Sequence, residues 1–384
     1  FVTRNQSSIL SFRIPAGTCG GYQIMASHSD SPTFKIKENP EMESEGHYIR
    51  LNVEKYGGML CAPWFDRPLS VAGRLVVKAG NCLVSKLVKV DRDLLMIPNL
   101  AIHFNRQVND GYKYNPQVDM IPLFGGHDSK GTFMKLVADA AGVHEEDILG
   151  HDLFLYSRMP GTIWGAGNEF FSCGRIDDLQ CAFASLKGFL ESEPAEGIAV
   201  HAVFDNEEVG SGTKQGADST FLMDTLRRIN TGLGRDEEAY LMALASSFMI
   251  SADNAHAVHP NLPDRADPTN RPYMNQGIVI KYNANQKYTT DAVSAAMFKA
   301  LCQRAGVPFQ TFANRSDMPG GSTLGNISNA HVSLNTVDIG LPQLSMHSPY
   351  ETAGVMDTCY LTRVAAHFYS ACIRAGEGGC YEVV

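Results

Sequence analysis

The sequence predicts an α/β fold: a three-layer catalytic domain with a central, mostly parallel sheet, into which a β-rich domain is inserted. Three observations predict it. Runs of small and β-branched residues such as Val200–Phe204, Phe248–Ala252 and Gly277–Tyr282 read as short buried strands. These alternate with stretches of helical period such as Ile176–Leu190 and Thr290–Ala305, the alternation expected of a parallel sheet. Between Phe34 and about Met159 the texture changes: β-like runs dominate and Pro and Gly interrupt them. Residues 34–159 therefore read as an insertion, and 1–33 with 160–384 as the discontinuous main domain.

Bulk properties narrow the function. The 384 residues are 44% hydrophobic and 19% charged, so a substantial core is expected and global disorder is not. A net charge of −9 offers no basic field for phosphates, which argues against nucleic-acid binding. No apolar run approaches the ~20 residues of a membrane span. The nine cysteines are odd in number, scattered and without a CxxC pair, which suits a reducing cytoplasm and buried thiols. Phe1 is followed by no signal-like segment, and residues before it could be missing.

In chain order, Ser11–Ile14 is a possible strand, and Gly21–Ser27 reads as a buried strand ending at His28-Ser29-Asp30. The His and Asp, two apart, point to one side, so His28 can ligate a metal while Asp30 fixes its tautomer. In the insertion, Phe34–Lys37, Tyr48–Val53, Gly73–Val77 and Cys82–Val90 are β-like, and helical period is scarce before Gly131–Ala141. Leu94–Gln117 reads as a long polar loop carrying His103, of a length that is usually functional or part of an interface. The α/β texture returns at His151, with Asp152–Leu155 strand-like. Asp177-Asp178 opens a helix in which Ile176, Leu179, Ala182, Phe183, Leu186, Phe189 and Leu190 recur; one aspartate could be the N-cap and the other free to enter a site.

The strand around Val200 ends in Asp205-Asn206 and the pair Glu207-Glu208. At a strand tip, one such carboxylate can hold a metal while the other takes a proton from water. Alone, the pair reads more readily as a charged, solvated loop, and only ligands elsewhere in the chain overturn that. Gly216–Ile229 reads as a helix, and Phe248–Ala252 as a strand ending at Asp253. Gly277–Tyr282 carries Lys281; Thr290–Ala305 is a helix with Ala292, Val293, Ala296, Met297, Ala300 and Leu301 on one face. Pro308–Ala313 and Asn335–Ile339 are further strands, separated by a glycine turn that begins at Arg315. Leu341–Ser348 carries His347, and a helix over about Thr358–Ile373 closes the chain. His201, His331 and His367 fit no ligand pattern and read as ordinary residues.

His28, Asp177, Glu207 with Glu208, Asp253 and His347 thus fall at inferred strand or helix ends. Together they are enough for two zinc ions sharing one carboxylate. The segments ASHSDSP, RIDDL, DNEEVGS, MISADNAHAVHPN and LPQLSMHS resemble, in order, the signature segments of the aspartyl aminopeptidase family. The resemblance implies an α/β catalytic domain, an inserted dimerisation domain and a homo-oligomer, a tetrahedral dodecamer. It implies two zinc ions per subunit, with cobalt or manganese as substitutes: His28 and Asp253 on one, Glu208 and His347 on the other, Asp177 between them. Glu207 would be the general base acting on a zinc-bridging water, with Asp30 orienting His28. His103 would reach a neighbouring subunit's site, and Lys281 would lie at the substrate pocket. Met318, Gly321 and Ser322 depart from the family pattern in the glycine loop.

The substrates implied are peptides with a free N-terminus, with Asp or Glu favoured there and Lys281 and Arg315 as the pairing cations. The alternatives are the same chemistry with a neutral, Leu-type preference, or a di-zinc carboxypeptidase or N-deacylase. A non-enzymatic binding protein would require a lost ligand or base, and all six positions are filled.

Overall fold

A computed structural model describes residues 1–17, 20–194, 196–376, 378 and 380–383. The chain divides into two compact units: Phe1–Ser31 with Thr162–Met346 and Glu351–Val384, and Pro32–Gly161 with His347–Tyr350.

The first unit is built on an eight-stranded mixed sheet. Its strands lie in the order Val2–Arg4, Ser8–Arg13, Ile198–Phe204, Tyr22–His28, Phe248–Ala252, Asn335–Gly340, Ile278–Tyr282 and Phe309–Ala313. The four middle strands from Ile198–Phe204 to Asn335–Gly340 run parallel. Every residue of Ile198–Phe204, Tyr22–His28 and Phe248–Ala252 is buried, because helices cover both faces. Side chains alternate between two cores. Met25, Ala199, Phe248 and Ile250 pack against Phe189 of Ile176–Glu191, Phe298 of Ala292–Ala305 and Phe368 of Asp357–Ser370. Ile24, Val200 and Ala202 pack against Phe221 and Leu226 of Phe221–Gly232 and Tyr240 of Glu237–Ala245. Burying a Phe such as Phe298 contributes about 1.5–3 kcal/mol. At Gly188 the helices Ile176–Glu191 and Asp357–Ser370 approach so closely that an added Cβ would sit 2.5 Å from that of Ala365.

A five-stranded sheet joins Thr162–Trp164, Phe170–Cys173, Glu351–Gly354, Pro342–Leu344 and Ala255–His256. Its strands are two to four residues long, too short for a period to show in sequence.

The second unit holds a six-stranded antiparallel sheet in the order Cys82–Lys89, Leu69–Ala79, Ile148–Ser157, Thr33–Ser44, Tyr48–Tyr56 and Leu123–Gly126. Phe34, Leu51, Leu69, Val71 and Leu153 form its core with Trp64 and with Phe133 and Val137 of the helix Phe133–Ala141.

Several elements differ from the sequence reading. Asp152–Leu155 does not mark a return to α/β texture; it lies in Ile148–Ser157, paired with Leu69–Ala79 in the second unit's sheet. The helix expected from Gly216 begins at Phe221, after turns over 216–219, and the closing helix ends at Ser370. In Ala292–Ala305 the buried side is Ala295, Met297, Phe298, Leu301 and Cys302, so the expected face was rotated; Met297 and Leu301 are common to both. In Ile176–Glu191 the recurrence implied one buried face. Of that set the helix buries Ile176, Ala182 and Phe189, together with Ala184, Ser185 and Gly188, and leaves Leu179, Phe183, Leu186 and Leu190 exposed. Small residues permit the close helix contact, so they take the inner side. His201 is an ordinary core residue, bonded to Ser185 Oγ at 2.9 Å.

Candidate metal centre

Strand register brings the site together. Phe204 is level with His28, and Ser251 with Ala26, in parallel strands. His28, the turn after Phe204 and Asp253 therefore emerge at one end of the sheet, the end where α/β folds place ligands. Asn206, with φ 64°, turns the chain so that Glu207 and Glu208 begin a short 3₁₀ helix, Glu207–Val209.

His28 is buried, with Nε2 3.4 Å from Asp177 Oδ1 and 3.7 Å from Asp253 Oδ1. Its Nδ1 lies 3.1 Å from the Asp30 backbone carbonyl and 3.4 Å from Asp30 Oδ1. The nearer oxygen is therefore the carbonyl. The Asp30 carboxylate is engaged elsewhere as well, since its two oxygens accept the N–H groups of Glu207 and Glu208, each at 3.1 Å. One residue thus holds both the imidazole and the glutamate pair.

Neither aspartate of the pair is the N-cap of Ile176–Glu191. Arg175 takes that position and its side chain makes no capping bond. Asp177 and Asp178 are buried and have non-helical dihedrals, and the peptide bond between them is cis. Asp178 Oδ2 accepts the His28 N–H at 3.1 Å. The Asp177 N–H donates to Glu351 Oε2 at 3.0 Å, and its carbonyl accepts from Ser31 Oγ at 2.8 Å. Asp178, Glu351 and Ser31 carried no signal of their own in the sequence beyond the doubled aspartate.

The ligand atoms of His28, Glu207 and Glu208 lie within 4.8 Å of one another, as do those of His28, Asp178 and Asp253. Crowding shows in the electrostatics. Burial pushes Glu207 up to about 7, with Asp253 and Asp177 adding to the shift. Burial and the charge of Asp177 push Glu208 up to about 10. Burial also raises Asp178. Burial opposes charge on His28, yet Asp177, Asp253 and Asp30 hold its pKa well above the ordinary range. Carboxylates that repel one another out of ionisation, gathered round one imidazole, fit a divalent cation that accepts N and O donors, as zinc does.

Two of the remaining sequence-derived candidates group with the second unit. There the His347 carbonyl accepts the Leu60 N–H at 3.1 Å, and His103 is exposed. Two others are already engaged with carboxylates. Lys281 is 3% exposed with Nζ 3.5 Å from Asp253 Oδ2, and stays charged because Asp253 offsets its burial. Arg315 is paired with Asp317 at 2.7 Å.

A parallel-centred α/β sheet with a His and several carboxylates at its strand ends is arranged as a metal-binding site of the kind that metal-dependent hydrolases use. Comparison with known proteins is more specific. Residues 1–369 match the family model of the aminopeptidase I zinc metalloproteases, M18. A probable M18 family aminopeptidase 2 of Clostridium acetobutylicum is 48% identical over 378 residues, covering 96% of this chain and 87% of that one. Among solved structures, that of the Ape4 and Nbr1 complex superposes with a TM-score of 0.92 at 35% identity, covering 96% of this chain and 75% of that one. The mApe1 dodecamer of S. cerevisiae superposes with a TM-score of 0.82 at 27% identity, covering 96% of this chain and 84% of that one. The chain belongs to the M18 family of zinc metallopeptidases and is a metal-dependent aminopeptidase.

Proposed function

We propose that this aminopeptidase removes single N-terminal residues from peptides with a free N-terminus, using two zinc ions and Glu207 as general base. His28 and Asp253 would hold one ion, Glu208 and His347 the other, and Asp177 would lie between them. The observation that carries the reading is the convergence of His28, Asp177, Asp253 and the Glu207–Glu208 pair at one sheet end. Bound zinc supplies Lewis-acid polarisation of the scissile carbonyl and lowers the pKa of water. Glu207 accepts the proton of the attacking water and returns it to the leaving amine. Burial holds its pKa at about 7 in the metal-free protein, near the value at which one carboxyl can do both. Asp30 fixes the Glu207 backbone and so aims this carboxylate.

For the N-terminal residue, the family resemblance favours Asp or Glu, paired with Lys281 and Arg315. A neutral, Leu-type preference is favoured by a specific observation: Lys281 is already paired with Asp253, and Arg315 with Asp317. Comparing kcat/KM for Asp-, Glu- and Leu-terminated substrates, with and without chelator, in wild type and Lys281→Met, tests both. A charge-assisted bond from Lys281 would be worth about 1.5–3 kcal/mol, roughly 10- to 150-fold in favour of the acid. A Leu preference in wild type would leave the aminopeptidase and remove the acidic pocket. Turnover in fully chelated enzyme would remove the metal mechanism.

The assembly we propose is a homo-oligomer, a dodecamer, with the inserted 34–159 region as its dimerisation domain and His103 serving a neighbour's site. Supporting this are the S. cerevisiae neighbour's dodecameric state and the exposed Leu100, Ile102 and Phe104 around His103. A monomer in light scattering would refute it. The eight described cysteines are free, which supports a cytoplasmic location.

A further inference from the structure

Asp177 is the shared ligand in the reading above, yet its backbone does not follow the helix it opens. Its φ of −78° and ψ of 109° are extended. A buried residue outside the helical ladder needs other partners for its N–H and C=O. Two side chains supply them. Glu351 Oε2 accepts the N–H at 3.0 Å, and Ser31 Oγ donates to the carbonyl at 2.8 Å. Ser31 follows His28 and Asp30 in one segment. Glu351 begins the strand Glu351–Gly354, whose register sets it opposite Cys173 in Phe170–Cys173.

We propose that Glu351, with Ser31, is a positioning residue that clamps the Asp177 peptide and so aims the carboxylate shared by the two metals. Glu351 is 1% exposed. Its carboxyl is therefore enclosed and its geometry set by packing, as a rigid support requires. Neither Glu351 nor Ser31 is among the proposed ligands. They act on the metals only through Asp177, as partners behind a ligand do, and such partners typically set affinity by 10- to 100-fold. The inference rests on Asp177 being a ligand.

Zinc affinity, measured without substrate by competition with a chromophoric chelator, tests it in the full chain. Glu351→Leu should weaken zinc binding by about 10- to 100-fold. Glu351→Gln keeps an acceptor oxygen of the same reach and should recover most of that loss. Ser31→Ala should weaken zinc in the same direction, and it decides the matter if Glu351→Leu does not fold. The proposal is overturned if Glu351→Leu lowers the Tm of the zinc-free protein but leaves zinc affinity unchanged, or if Glu351→Gln loses as much as Glu351→Leu. Asp177→Asn is the control for the reading beneath. If it binds zinc as wild type does, the ligand assignment fails. If it loses zinc while Glu351→Leu and Ser31→Ala do not, only the clamp fails.

Discussion

Replacing Asp30 by Asn separates the two roles of this residue. Its carboxylate oxygens accept the N–H groups of Glu207 and Glu208, each at 3.1 Å. Asparagine has one acceptor oxygen, and its amide NH₂ would face the second backbone N–H, donor against donor. One charge-assisted hydrogen bond is lost, worth about 1.5–3 kcal/mol. If that bond is what aims Glu207, kcat should fall roughly 10- to 150-fold at 1.36 kcal/mol per decade. His28 keeps its nearer partner, since the Asp30 carbonyl at 3.1 Å belongs to the backbone. Zinc affinity should therefore change less than kcat. Steady-state kinetics at saturating zinc, alongside chelator competition, gives both numbers. An unchanged kcat refutes this account of Asp30, as does a loss that disappears entirely when zinc is raised.

Three other outcomes follow from the same geometry. Glu207→Gln should retain zinc and lose turnover, because an amide cannot accept the proton of water; zinc content by mass spectrometry and kcat check this. Zinc should bind more weakly as pH falls: Glu208, pushed up to about 10 in the metal-free protein, carries a proton at neutral pH that the cation must displace. That predicts at least a tenfold loss of affinity per pH unit, steeper where His28 must give up a proton as well, and proton release in weak buffer; pH-independent binding would contradict it. His201 is held down to about 4 by burial, so the native state keeps it neutral while the unfolded chain protonates it at the ordinary value of 6.5. Its contribution is fully present above pH 6.5 and is lost as pH falls toward 4, in total about 3 kcal/mol. Denaturant melts of wild type and His201→Phe between pH 7 and 4 should show that slope in the first and a flatter one in the second.

The sequence by itself determined the elements whose cause is local. A run of small and β-branched residues followed by a polar tip is a strand wherever it lies, and Phe248–Ala252 matches its expected bounds. The candidate ligands His28, Asp253, Glu207 and Glu208 were legible because each ends such a run. Tertiary structure decided what depends on which groups lose water together. Register across parallel strands brings His28 level with Phe204, and no window of sequence contains that pairing. The face that Ile176–Glu191 buries was decided by the close approach of the helix Asp357–Ser370 at Gly188, against the larger apolar side chains on its other flank. The same holds for charge. Lys281 could be read as a free cation until its burial beside Asp253 was known, and Asp30 as a partner of His28 alone until its carboxylate was found on the amides of Glu207 and Glu208 as well. Apolar periodicity survives in one dimension because side-chain direction follows from the local backbone. Hydrogen-bond partners and desolvation are properties of neighbours far apart in the chain, so only the folded molecule sets them.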